Sequence, residues 1–433
     1  MGRLRGWRKM GKASFGVLED DSGSTQIFLQ RDVLGEAYDL VKQIDLGDFL
    51  EVSGTAMKTK TGEETVGASA IKIIAKALRP LPDQFHGLKD RELRYRHREL
   101  DLLANPEAKI MFRQRALLIR YLRDFFDAKD FLEVETPILQ PLAGGTMAKP
   151  FMTHHEALDI DLFLRIAPEL YLKRLVVGGF EKVYEIGKIF RNEGISPQHL
   201  QEFTELEFYQ AYASHEDLMK LEEEMLTTVL KKVFDKLKFK FGDHEIDFTA
   251  PWKVVDYNEL LKEHSGIDLD KIQNVEELSA AIKEKKIDVH LEKGMSLGHM
   301  IDNLYKVSAR PTLINPTHVV GQPLVISPLA KKDAKRPDHV ERFQTVVAGF
   351  EISNAYSELN DPQEQRRRFE EQASMRNAGD AEAHVKDEQF IESLEYGLPP
   401  TAGYGLGIDR VLAIVTNSSN VREVVLFPTM KPL

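Results

Sequence analysis

FRNEGISPQHLQEFTELEFYQAY, residues 190–212, decides how this chain is read, because it is too apolar for a surface loop and too charged for a core strand. Strand alternation in its second half puts Glu205, Glu207 and Tyr209 on one face. The same alternation in ISNAYSEL puts Asn354, Tyr356 and Glu358 on one face. Two strands of one sheet, each showing carboxylates beside an aromatic or an amide, describe a polar pocket on a sheet surface. Such a pocket suits a small cationic ligand, since carboxylates do not line a dry surface unpaired. A solvated sheet face is the plainer account. Against it stand Phe203, Phe208, Tyr209, Tyr212 and Tyr356, too many rings for an ordinary wet face.

Arg191 and Glu193, two apart, project together from the strand before the loop, and Arg410 opens the last helix behind the glycine-rich PTAGYGLGID. Two arginines near glycine-rich backbone are what a polyphosphate needs: bidentate donors and close backbone approach. Beside carboxylates they suggest an ATP–Mg²⁺ site, with Glu351 as a metal candidate. Strict alternation sets Glu351 on the opposite face from Asn354, so this assignment requires a bulge. Other familiar sites fail. There is no GxxxxGK[ST] loop and no HExxH, and the last glycine of a dinucleotide fingerprint starting at Gly403 would fall on Ile408.

Working outward, 433 residues allow two or three domains, and 42% hydrophobic content supports a sizeable core. No run reaches the length of a membrane span, and MGRLRGWRKMGK is followed by no apolar signal region. With no cysteine, disulfides and thiolate chemistry are excluded, which suits a cytoplasmic setting. A net charge of −11 argues against a protein that coats nucleic acid, yet basic clusters lie in residues 1–18 and in RELRYRHREL (91–100). Their plain reading is two solvated faces.

Residues 1–78 read as short strands with a hairpin at Asp-Asp-Ser-Gly-Ser, a small barrel of OB-fold type with a basic rim. LRPLPDQFHG opens a linker, taken as 79–105. The rest, 106–433, reads as one domain of class α+β, an antiparallel sheet flanked by helices. Apolar spacing predicts a helix over 106–131, mostly strand over 150–212, a helix over 215–237 and a mainly helical insertion around 258–310. PLVISPLAK returns to strand, and Asp361-Pro362 starts another helix.

Taken together these stretches resemble the class II aminoacyl-tRNA synthetases, and within them the lysyl-tRNA synthetases, over nearly the whole chain. FLEVETPIL is similar to the first class motif, FRNEG…EFTELEFYQAY to the second and GYGLGIDRV to the third. IAPELYLKRLVVGGFEKVYEIG, ISPLAK, EISNAYSELNDP and LFPTMKP are similar to the lysine enzymes in particular. The resemblance implies a homodimer that takes ATP, L-lysine and tRNA(Lys), with Mg²⁺ as cofactor. It implies that Glu169, Glu207, Tyr209, Asn354, Tyr356 and Glu358 hold lysine, with Gly145 letting it lie against backbone. Arg191 would bridge the lysine carboxylate and the α-phosphate, and Glu193, His199 and Arg410 would hold the triphosphate and adenine, with Phe203 stacked on the base. Arg8, Phe15, Gln26 and Glu63 would read the anticodon.

The chain departs from the family in three places. Gln344 stands where a second metal-binding glutamate is usual, and Leu200-Gln201 stand where Asn-Pro is usual. It also begins inside the expected barrel, without the usual leading helical extension. Two other readings are a lysine-activating paralogue that modifies a protein and a non-catalytic, synthetase-like regulator. The barrel argues against the first; intact Arg191, Glu193, Glu351 and Arg410 argue against the second, which Gln344 keeps open.

Overall fold

Strands β1 (Gly2–Met10), β2 (Ala13–Asp20), β3 (Gly23–Gln30), β4 (Phe49–Lys58) and β5 (Glu64–Ala75) close into a barrel in the order β1-β2-β3-β5-β4. Alternate residues fill it: Leu4, Leu18, Ile27, Leu29, Leu50 and Ala68 are buried. The computed structural model describes residues 1–82, 87–146, 148–291, 295–377 and 386–432, the side chains of 375–377 excepted. Part of the stretch read as a linker, 83–86, lies outside them. The chain divides into two units, Met1–Ala108 and Lys109–Leu433. The barrel's unit therefore includes most of the stretch expected as linker, which carries short helices at Arg91–Arg96 and Arg98–Ala104.

Charge explains that order. The basic cluster at 91–100 is not wholly a solvated face, because Asp101 collects Arg94 Nε at 2.6 Å, Arg98 Nη1 at 2.5 Å and Asn105 Nδ2 at 2.6 Å. Arg98 and Asp101 are both buried. A buried carboxylate with three donors is satisfied where a lone one would not be.

The second unit is built on an eight-stranded sheet. Its strands are β6 (Leu132–Glu133), β7 (Lys182–Phe190), β8 (Glu202–Ala211), β9 (Lys253–Asp256), β10 (Thr317–Val320), β11 (Arg342–Val347), β12 (Phe350–Ser357) and β13 (Thr401–Gly407). They lie in the order β9-β10-β11-β12-β13-β8-β7-β6. The middle is antiparallel as expected, whereas the edge pairs β9/β10 and β6/β7 are parallel. FLEVETPIL gives the two residues of β6 and, past Pro137, Leu139 of a separate short strand, Leu139–Gln140.

Helices α1 (Pro106–Asp127) and α3 (His215–Phe234) cover one face of the sheet, and α2 (Glu169–Val177) lies between the two in sequence. α2 corrects the reading of 150–212 as mostly strand. Glu169, Lys173, Arg174 and the leucines of ELYLKRLVV are good helix formers, and helical spacing buries Leu170, Leu172, Lys173 and Val176 together, so propensity and packing agree. α3 starts at a capping box in which Ser214 and Asp217 satisfy each other's backbone donors.

The insertion holds α4 (Tyr257–Ser265), α5 (Val275–Glu284) and α6 (Leu297–Ser308) around its own apolar cluster. PLVISPLAK is not strand: Leu324–Ile326 is a short 3-10 turn flanked by isolated bridges. Among the described residues this unit also holds α7 (Pro362–Asn377), α8 (Glu388–Glu395) and α9 (Ile408–Val415).

The main core joins Leu118, Leu122 and Phe126 of α1, Met225, Leu226 and Val229 of α3, and Leu206, Phe208, Tyr404 and Leu406 from the sheet. Each such side chain contributes about 1.5–3 kcal/mol on burial. Because Leu206 and Phe208 point into that core, Glu205, Glu207 and Tyr209 must point the other way. The sheet thus has one apolar face and one ionisable face.

Candidate active site

A cavity of about 340 Å³ opens on the ionisable face. Gly145, Glu169, Arg191, Glu193, His199, Phe203, Glu207, Tyr209, Gln344, Glu351, Asn354, Tyr356 and Arg410 all line it. Fragments separated by more than 200 positions in sequence thus meet at one place. Glu358 does not line it. It lies 1% exposed beneath Gly403, where a Cβ would come within 2.2 Å of Glu358 Oε1 and 2.4 Å of Tyr209 Cε1. A side chain at Gly403 would cut Glu358 off from the cavity. Gly145 has φ +96° and would press a Cβ to 3.0 Å from those of Ala167 and Glu169, so both its backbone and its surroundings favour glycine.

The required bulge is present. Thr345 faces Ser353 and Val346 faces Glu351, which leaves Ile352 without a partner on β11. The extra residue rotates the strand so that both Glu351 and Asn354 reach the cavity. Gln344, the cross-strand neighbour of Asn354, has a buried Oε1 with no hydrogen-bond donor. A bare carbonyl oxygen lining the same cavity as the Glu351 carboxylate is a hard oxygen set of the kind Mg²⁺ takes, with phosphate oxygens supplying the remaining ligands. No three acidic or histidine side chains gather as a metal cluster among the described residues.

At one end the floor is acidic. Tyr356 donates to Glu169 Oε1 at 2.7 Å, and Tyr209 donates to Glu207 Oε1 at 2.7 Å. Burial pushes the Glu207 carboxyl well above its ordinary value, reinforced by Glu205 and Glu169. Asn354 Oδ1 accepts from Arg342 Nε at 2.8 Å, which fixes its amide. Toward the other end, Arg191 lies over the Phe203 ring at 5.1 Å and 3.9 Å from Glu205. Arg410 donates from Nη1 to the Glu351 carbonyl at 2.7 Å. The His199 imidazole is pushed down to about 4 by partial burial and by Arg410, Lys306, Arg310 and Arg191. A neutral imidazole inside a cluster of cations marks the end suited to an anion.

Several contributors escaped the sequence reading. His299, Asp302 and Lys306 of α6 line the cavity, so the helical insertion is part of the site. Gly403 was seen as part of a glycine-rich strand without this role. Lys173 was overlooked, although its spacing of four from Glu169 on a helix was a usable signal. Glu205 was placed on the correct face but given no task; it holds Arg191.

The barrel has its own candidate surface. Arg8 pairs in register with Phe15, and Phe15 with Phe28, making a row across β1, β2 and β3. The two rings stack with centroids 4.6 Å apart. Gln26, two residues from Phe28, donates to Glu63 Oε2 at 2.9 Å and accepts from Thr65. Arg8, Phe15, Gln26 and Glu63 therefore share one face of the barrel, joined by Phe28, which the sequence reading missed. An aromatic platform beside amide and cationic groups is a surface for single-stranded bases.

Comparison with known proteins agrees with this architecture. Residues 90–431 match the family of class II tRNA synthetases (D, K and N), and residues 1–81 match the OB-fold nucleic acid binding domain. Lysine–tRNA ligase of Pelotomaculum thermopropionicum is 49% identical over 432 residues, covering 100% of this chain and 85% of that protein. The enzyme of the same name from Carboxydothermus hydrogenoformans is 48% identical, covering 100% and 88%. That of Clostridium perfringens is 48% identical, covering 100% and 86%.

Proposed function

From a chain that belongs to the class II tRNA synthetases of the D, K and N group, we propose a cavity divided between lysine at its acidic end and ATP at its basic end. The activity is that of a lysine–tRNA ligase, as in the relatives above. Lysine and ATP give lysyl-adenylate and pyrophosphate, and the terminal ribose hydroxyl of tRNA(Lys) then takes the lysyl group. One observation carries the division: Glu169, Glu207 and Tyr356 line the same cavity as Arg191, His199 and Arg410.

The chain's residues have separable tasks. Glu169 and Glu358 face the substrate's side-chain ammonium, while Glu207, Tyr209, Asn354 and Tyr356 shape the slot and Gly145 admits the amino acid against backbone. Arg191 spans the lysine carboxylate and the α-phosphate, with its Nε donating to the Ile166 carbonyl at 3.3 Å, Glu205 3.9 Å away and the Phe203 ring against its guanidinium. Glu193, His199 and Arg410 receive the triphosphate and adenine, and Phe203 stacks on the base. The lysine carboxylate is already ionised near neutral pH, so its attack on phosphorus needs no general base. Catalysis is orientation plus stabilisation of charge developing on the phosphoryl oxygens. Glu351 and the free carbonyl of Gln344 would hold Mg²⁺, which when bound neutralises phosphate charge.

The anticodon of tRNA(Lys) is assigned to Arg8, Phe15, Gln26 and Glu63, with Phe28 in the stacking row. A homodimer is supported by apolar side chains left exposed on α1 and the nearby edge, among them Ile110, Leu117, Leu132 and Leu139. Among the described residues no helix is long and apolar enough to cross a membrane. A cytoplasmic setting is part of the proposal and rests on the reaction and the absence of cysteine. The test is ATP–pyrophosphate exchange with each amino acid in turn, followed by lysine transfer to tRNA. Lysine-dependent exchange with charging supports the reading. Exchange without charging would favour a protein acceptor, and no lysine-dependent exchange would remove the activity.

A further inference from the structure

The carboxylates assigned to the substrate's ammonium already hold an ammonium. Lys173 on α2 is 1% exposed, with Nζ 2.5 Å from Glu169 Oε1 and 2.5 Å from Glu358 Oε2. Its charge also lies 5.5 Å from the Tyr356 ring, 5.7 Å from Phe390 on α8 and 6.0 Å from Tyr209 on β8. The groups around it are Glu169 on its own helix, Glu358 and Tyr356 from β12 and its end, and Glu207 and Tyr209 from β8.

A simple structural pair is one account, since a buried ion pair often does no more than offset its own desolvation. Two features go further. A structural pair needs one carboxylate, whereas this cation joins two from distant parts of the chain, Glu169 lining the cavity and Glu358 directly beneath it. The oxygens of Glu358 are also divided. Oε2 meets Lys173, while Oε1 faces Gly403, which lines the cavity and has no side chain to block the approach. One side of the carboxylate is fixed from behind, and on the other only the backbone of Gly403 stands between it and the cavity.

We propose that Lys173 is a positioning and specificity residue: it pins the Glu169 and Glu358 carboxyl groups side by side, so that the pocket selects a cationic amino-acid side chain over a neutral one of equal length. The proposal rests on assigning this end of the cavity to lysine. Electrostatics agree with it. Burial pushes the Glu358 carboxyl up and Lys173 is the largest influence opposing it, so that it stands at about 8 with Lys173 in place. Without Lys173 a second nearby carboxylate, Glu169, pushes Glu358 further toward its neutral form, and a neutral carboxyl attracts an ammonium weakly.

The experiment is ATP–pyrophosphate exchange with the full chain, its K173M and K173R variants, across about pH 6.5–9.5, with lysine and with norleucine, the neutral analogue. Expected for K173M is a rise of about 100-fold in KM for lysine, the size of loss that follows unpairing buried charge. Its KM for ATP should stay near that of the parent. Its kcat/KM for lysine should recover toward high pH, where Glu358 ionises again, and its preference for lysine over norleucine should fall. K173R should restore most of the lysine KM. Lysine KM, pH profile and norleucine discrimination all within about twofold of the parent in K173M would overturn the proposal. So would equal loss in lysine and ATP parameters with no rescue by K173R, the mark of a purely structural pair. If K173M does not fold, K173Q takes its place: a raised lysine KM with the ATP KM kept supports the role, and both unchanged overturns it. A parent chain without lysine-dependent exchange would instead remove the lysine assignment itself.

Discussion

Glu222, on the helix behind the sheet, accepts the Tyr404 hydroxyl from β13 at 2.9 Å. The same carboxylate accepts from Ser353 on β12 and Thr345 on β11, each at 2.6 Å. One buried side chain therefore ties three neighbouring strands from the rear. Their front carries Gln344, Asn354 and Gly403.

This tie makes stability pH-dependent. Burial pushes the Glu222 carboxyl up to about 7 against its ordinary 4.5, although the three hydroxyls pull it down. Nearby His318 is pushed down to about 4 by burial, so it brings no compensating positive charge near neutral pH. Between 4.5 and about 7 the folded chain binds the proton that the unfolded chain releases, so stability falls as pH rises through that window. The contribution is about 3 kcal/mol, present below 4.5 and lost above 7. E222Q should flatten this part of the profile. Urea midpoints at several pH values check it, and parallel profiles for parent and variant would refute it.

Arg191 and Arg410 act on charge that develops in the reaction. R191A and R410A should each lower exchange by about 100-fold to 1,000-fold, the range for removing one preorganised donor. Steady-state kinetics in lysine and ATP are the measurement. Near-parent kcat in either variant would remove that residue from the mechanism.

Gln344 offers a carbonyl where a carboxylate would bind a divalent cation more tightly. Q344E should lower the Mg²⁺ concentration that half-saturates exchange severalfold, while EDTA abolishes exchange in both forms. A variant with the same Mg²⁺ midpoint would place the metal elsewhere.

The barrel row predicts a separation of functions. F15A removes a stacking surface with a value of about 1–3 kcal/mol per base. It should therefore cut kcat/KM for tRNA by about tenfold or more and leave ATP–pyrophosphate exchange intact. Charging kinetics with a tRNA(Lys) transcript decide it, and unchanged charging would mean that the row does not read the anticodon. F28A tests the ring that only the fold placed in that row, with the same expected outcome.

What could be read beforehand followed the physics of local pattern. Period-two alternation put Glu205, Glu207 and Tyr209 on one face, and burial of Leu206 and Phe208 on the other confirms that placement. Alternation also implied the bulge near Glu351, which the register shows at Ile352. Signals carried by packing were harder to see. ELYLKRLVV is short and lies among strands; it forms α2 because its helix-forming residues present one face to a core. Lys306 and Asp302 reach the cavity from a separate helical cluster, and no local spacing points from α6 toward residues 190–212. Lys173 reads locally as one cation in a charged helix. Its meeting with Glu358, 185 positions away by number, is a product of the tertiary fold.

The central claim is that the acidic end of this cavity reads a lysine ammonium through Glu358. The most direct measurement is the KM for lysine in ATP–pyrophosphate exchange for the parent and E358Q, with the KM for ATP followed in parallel. The account predicts a rise of about 100-fold in lysine KM, or about 2.7 kcal/mol, with the ATP value retained. A lysine KM near that of the parent in a folded E358Q chain would contradict it.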